Sequence, residues 1–120
     1  MKGLIIKPYW ANKILGEEKA LEIRISNSNI RGTIGIVISG TSKVWGTVEL
    51  VDSFFIPDED FEKFKEFHLI DCKREDISYK KLYGWKLKNP KKFDEPISYK
   101  YKLGCVKWVN LGDIENEISE

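Results

Sequence analysis

The sequence predicts an α+β protein, mostly β: six strands forming a small, antiparallel or mixed β-barrel with two or three short helices at its rim. Two observations carry this. Apolar residues alternate with a period of two over most of the chain and shift to roughly 3.6 only in brief stretches. No strand–helix–strand rhythm, internal repeat or low-complexity segment interrupts them. At 120 residues the chain is the size of one domain with one core. The domain is expected over residues 1–110, with an acidic tail over 111–120.

"GLIIK" gives the first strand, and Pro8 then presets the backbone for a helix of about two turns, closed by Gly16. The next strand covers Leu21 to Ile25, followed by the polar loop "SNSNIRG". "TIGIVIS" is apolar at nearly every position and reads as a strand buried on both faces. Gly40 to Lys43 then turns the chain into "VWGTVELVDSFF", so these two strands form a hairpin. In "PDEDFEKFKEFH", Asp58 is placed as an N-cap, with Phe61, Phe64 and Phe67 or His68 on one face of an amphipathic helix. A second short helix is predicted from Asp76 to Tyr83, closed by Gly84. "GWKLKNP" and "ISYKYKLG" read as two strands with lysines on their polar faces, and "CVKWVNL" as the last strand. The tail "GDIENEISE" is expected to be frayed or briefly helical.

Composition excludes several classes. With 42% hydrophobic and 32% charged residues the chain is ordinary for a globular protein, and no apolar run approaches the ~18 residues of a membrane span. The opening "MKGLIIKPYW" has only three consecutive apolar residues, too few for a signal peptide, so a cytoplasmic location is the default expectation. Cys72, Cys105 and the single His68 do not make a disulfide framework or a zinc site, and no metal or cofactor is expected. The net charge of +1 hides a segregation. From Tyr79 to Asn110 there are nine lysines against Asp94 and Glu95, whereas Val51 to Asp76 has nine acids against four bases. A lysine-rich face is the footprint expected for a polyanion, although it also suits a merely solvated surface.

"GEEKALEIR" carries the candidate chemistry. On a strand, Glu22 and Arg24 share one face while Leu21, Ile23 and Ile25 share the other. The plain reading is a surface ion pair; the functional one is a cleft in which a planar guanidinium positions a phosphate or a base edge. Lys19 falls on the opposite face by parity, and reaches the same cleft only from the preceding loop or through a bulge. Ser39, in "SGTSK", offers a hydroxyl to a phosphate but equally suits a plain hairpin turn. Of four tryptophans, Trp10 at the rim is the first candidate for base stacking and Trp85 the second, while Trp45 and Trp108 are assigned to packing. His68 is read as a residue at the edge of the core.

These segments together, "LIIKPYWANKILGEEKALEIR", "RGTIGIVISG", "GTVELVDSF" and "GWKLKNPKKFDEPISYKYKLGCVKWV", resemble the ASCH family of the PUA-like superfamily over nearly the whole chain. Its Gly-x-Lys-x-x-Glu-x-Arg signature is matched by Gly16, Lys19, Glu22 and Arg24, with one extra residue because both Glu17 and Glu18 precede the lysine. The resemblance implies a PUA-like barrel with a charged cleft, related to domains that bind RNA or modified nucleotides. The family also holds small amidohydrolases that deacetylate acetylated cytidine, with a lysine and, three residues later, a threonine nucleophile. Here the lysine is Lys19, but the threonine position is Glu22. A carboxylate does different chemistry from an activated hydroxyl, so the resemblance implies a binding domain first and a hydrolase of a modified nucleoside, with Lys19 and Glu22 moving protons, second. The expected partner is RNA, another nucleic acid or a modified nucleotide. Lys7, Trp10, Lys19, Glu22 and Arg24 would line the cleft, with Ser39, Trp85, Lys86 and Lys88 adding contacts; the sequence leaves oligomeric state open.

Overall fold

The structure, a computed structural model, describes residues 1–100, 104, 105 and 107–118. Six strands form one mixed sheet in the order β2-β5-β4-β3-β1-β6. They are β1 (Lys2–Ile6), β2 (Leu21–Arg24), β3 (Gly32–Ile38), β4 (Lys43–Ile56), β5 (Leu82–Ser98) and β6 (Trp108–Asn110). Helix α1 (Pro8–Leu15) follows β1 as expected, with Pro8 at its first turn, and α2 (Lys65–His68) and α3 (Glu115–Ile118) are single turns. β1 runs parallel to β3; the other pairings are antiparallel. Among the described residues no helix is long and apolar enough to cross a membrane.

The sheet is not closed by backbone hydrogen bonds: β2 and β6 remain its two edges. Side chains span the gap instead. Arg24 donates to the carbonyl of Ile5 at 3.3 Å, and Lys107 donates to Ser26 Oγ at 2.6 Å.

β3 is buried on both faces, as its apolar run requires. Ile34, Ile36 and Ile38 join Leu4, Ile6, Ile14, Val48 and Leu50 in the main core under α1. Val37 faces a second cluster with Val44, Val109, Leu111, Ile114 and Ile118. That second cluster requires glycine at two paired positions, Gly3 and Gly35. A Cβ on either would approach the Leu111 side chain to 2.8 or 2.6 Å, below any real contact. Residues 111–118, expected as an acidic tail, are therefore packed: Leu111, Ile114 and Ile118 are buried, and Glu115 pairs with the terminal amine at 2.9 Å.

Four local expectations are corrected. The single helix over "PDEDFEKFKEFH" is two 3₁₀ turns (Asp58–Asp60, Glu62–Phe64) leading into α2. The spacing of three between Phe61, Phe64 and Phe67 matches the 3₁₀ repeat better than 3.6. Asp58 caps nothing here; its carboxylate pairs with Arg74 at 3.0 Å. The helix expected from Asp76 to Tyr83 is absent, because Arg74 donates to the carbonyls of Ile77, Tyr79 and Lys80 and holds that stretch open. The two strands expected on either side of "KNPKKFDEP" are one strand, β5. Glu49 pairs with Lys88 and Thr47 with Lys91, so Asn89 and Pro90 together oppose Val48 in a bulge, with Asn89 at φ +52°. The proline's missing N–H thus falls where the ladder lapses. Residues 101–103 of the expected later strand lie outside the described residues. Finally, β2 ends at Arg24, and Ile25 is exposed.

Candidate functional site

Lys19, Glu22 and Arg24 meet in one buried cluster. Helix α1 ends with the Lys13 carbonyl accepting from the N–H groups of both Glu18 (2.9 Å) and Lys19 (3.0 Å). Glu17, the residue extra to the signature, takes the left-handed conformation at φ +67° and absorbs the insertion within this turn. Lys19 thus enters from the loop before β2. Ala20 then anchors that loop twice, donating to the Phe67 carbonyl and accepting from Leu87 N–H.

Glu22 lies opposite Trp85 and Arg24 opposite Tyr83 in the β2–β5 ladder, so both charged side chains point to the same face as the core residue Trp85. Glu22 and Lys19 are 6% and 3% exposed, which makes this a buried charge cluster and not a surface pair. Glu22 Oε2 accepts from Arg24 Nε at 2.9 Å and stands 2.9 Å from Nη2 as an ion pair, and Oε1 stands 3.7 Å from Lys19 Nζ. Lys19 Nζ also donates to the His68 carbonyl at 2.5 Å and sits 4.1 Å from the centre of the Trp10 ring. Burial pulls the Lys19 ammonium down from its ordinary 10.5 to about 8; Glu22 opposes this and the Arg24 charge adds to it.

His68 fixes the floor of the cluster. Its ring stacks on Phe61 at 4.3 Å, Nε2 donates to the Phe61 carbonyl at 2.9 Å, and Nδ1 accepts from Ile70 N–H at 2.9 Å. Both nitrogens are engaged by the neutral ring, and burial lowers its pKa. It is a fully buried core residue.

At the seam between the sheet edges the cluster reaches solvent. Arg24 is 21% exposed at its side chain and lies 5.6 Å from the Trp85 ring centre; Lys107 Nζ lies 5.2 Å from it. Trp85 is fully buried, stacked on Trp108 at 5.7 Å, with Nε1 donating to the Ser26 carbonyl. The expectation that Trp85 offers a stacking surface to a base is therefore corrected: no face of it is open, because it fills the core where the two edges meet. Trp10 is half-buried and packed edge-on against Tyr9.

Other expected site residues lie elsewhere. Lys7 is exposed at the start of α1. Ser39 is exposed and lines a separate recess of about 350 Å³ with Ile5, Val37, Ser42 and Tyr99. Lys86 pairs with Leu21 on β2 and so points to the opposite face of the sheet from Glu22; Lys88, two residues on, shares its side. Both lysines border a groove of about 410 Å³ with Phe54, Phe64 and Phe67. Lys107 was legible only as one lysine of the basic stretch Tyr79–Asn110, and Ser26 was not singled out; the approach of the sheet edges joins them.

No family model matches the chain, and no curated protein matches it. Solved structures do. ASCH from Zymomonas mobilis matches with a TM-score of 0.76 at 13% identity, over 98% of this chain and 93% of that one. Its tyrosine-to-phenylalanine variant gives 0.73 at 14% identity, over 98% and 96%, and its serine-to-alanine variant 0.71 at 14%, over 98% and 94%. The chain has the fold of these ASCH proteins.

Proposed function

We propose that this protein binds nucleic acid, RNA or a modified nucleotide in particular, at the charged seam between β2 and β6. The observation that carries the reading is the charge balance of the cluster: Lys19 and Arg24 share a single carboxylate, Glu22, and a third cation, Lys107, stands near the same Trp85 ring as Arg24. Glu22 holds the Arg24 guanidinium through Nε and Nη2, which leaves Nη1 without a partner among the described residues. A fixed, partly desolvated guanidinium with an unused edge suits a phosphate or a base edge. The likeness to ASCH structures supports the fold on which this reading is built.

Lys19 argues for binding over catalysis. Its ammonium is taken up by the His68 carbonyl, Glu22 and the Trp10 face, and it is 3% exposed, so a substrate would have to compete with these contacts. One observation favours the second reading, a hydrolase of a modified nucleoside: a lysine brought to about 8 beside a carboxylate is suited to proton transfer near neutral pH.

Anisotropy of a labelled single-stranded RNA tests the first reading. Affinity should fall as salt rises, and Arg24→Ala should weaken it about tenfold or more. A screen of acylated nucleosides tests the second, and turnover abolished in Glu22→Gln would replace binding with hydrolysis as the function.

A further inference from the structure

We propose that the seam takes a terminal phosphomonoester, held between Arg24 and Lys107. The inference rests on the nucleic-acid reading above and names the chemical group that the site receives.

One residue, Ile5, holds the two cation-bearing segments. The Ile5 N–H donates to the Lys107 carbonyl at 2.8 Å, and the Ile5 carbonyl accepts from Arg24 Nη2 at 3.3 Å. Ser26 completes the frame: its hydroxyl accepts from Lys107 Nζ and its carbonyl from Trp85 Nε1. Both cationic groups consequently stand within 6 Å of the same ring centre. Lys107 has no carboxylate within ion-pairing distance among the described residues, whereas Lys19 and Glu22 face one another in the buried interior. Glu22 offsets only part of the positive charge gathered here, and like charges held close cost free energy that a further anion recovers. The charge of Arg24 also helps to hold the Lys107 pKa down, after burial.

The balance selects the anion. With three cations, Lys19, Arg24 and Lys107, and one carboxylate, Glu22, the cluster keeps two net positive charges. A phosphomonoester carries between −1.5 and −2 near neutral pH and offers three oxygens, roughly one charge and one oxygen more than an internal phosphodiester. Arg24 Nη1, whose N–H groups are unused, engages one oxygen, and the Lys107 ammonium, with two N–H groups beyond its Ser26 bond, engages the others. Trp108, half-buried at the rim of the seam, lies beside this position and offers its open part to an attached base.

The test compares one short RNA bearing a 5′-phosphate, a 3′-phosphate or hydroxyls at both ends, with wild type, Lys107→Ala and Lys107→Arg. One of the phosphorylated forms should bind wild type about tenfold tighter than the hydroxyl form, and this identifies the end recognised. Lys107→Ala should erase that preference while melting like wild type, and Lys107→Arg should retain it. The preference should also weaken below pH ~6, where the phosphate takes its second proton. Equal affinity for all three RNAs, or a preference that survives Lys107→Ala, overturns the phosphomonoester site and leaves nucleic-acid binding standing. Failure to bind any of them overturns both.

Discussion

Arg24, on the edge strand β2, donates from Nη2 to the carbonyl oxygen of Ile5 on β1 at 3.3 Å. β6 pairs with β1 over Lys2–Leu4, and at Ile5 the N–H still donates to the Lys107 carbonyl while the Ile5 carbonyl is left to Arg24. With the Lys107–Ser26 bond, Arg24 bridges the open side of the sheet, and it presents a fixed guanidinium at its mouth.

Glu22 should matter more to stability than any exposed acid. Glu22→Ala would leave Lys19 buried without its carboxylate and Arg24 without its anchor, a change expected to cost about 3–5 kcal/mol. Glu18→Ala, which breaks an exposed pair with Lys13, should leave stability close to that of wild type. Urea unfolding of both variants measures the contrast, and equal losses would mean that the cluster is not electrostatically coupled.

Lys19 gives stability a pH signature in the alkaline range. Its pKa in the folded protein, about 8, lies below its ordinary 10.5. Between these values the unfolded chain binds more protons, so this group makes stability rise with pH, by about 3 kcal/mol across the window. Below pH ~8 both states are protonated and the full burial cost is present. The difference between wild type and Lys19→Met should therefore change across this window, and a constant difference would show that Lys19 titrates normally.

Lys86 and Lys88 lie on the opposite side of β5 from Trp85 and the seam, so they should act only at long range. Changing both to alanine should leave the affinity for a nucleoside monophosphate unaltered. With a longer RNA the same change should lower the salt slope by up to about two if the strand wraps that face. Loss of mononucleotide binding in this variant would place the ligand on the outer groove beside Phe67.

Much of this architecture was legible in the sequence because period and turn chemistry act locally. The double-sided burial of β3, the Pro8 start of α1 and the β3–β4 hairpin follow from residues close in the chain. The pairing of Glu22 with Arg24 was legible for the same reason, since strand parity fixes which side chains adjoin. Parity does not say which face is inside. Leu21 and Ile23 suggested that the charged face pointed outward, whereas it turns toward Trp85. Lys107 and Ser26 are 81 residues apart, and only closure of the fold brings them together. The stretch 76–83 was misread for a different reason: Arg74 takes three backbone carbonyls there, a local side-chain-to-backbone effect that apolar periodicity does not contain.

The central claim, that Glu22 and Arg24 act as one unit to hold a ligand at the seam, is tested most directly by a double-mutant cycle on RNA binding with Glu22→Gln, Arg24→Ala and the double variant, each checked by thermal melting. Arg24→Ala should weaken binding by about 1–3 kcal/mol, Glu22→Gln should weaken it by leaving the guanidinium unoriented, and the double variant should lose less than the sum. If both single variants bind RNA like wild type and lose only stability, the cluster is structural and the seam is not the binding site.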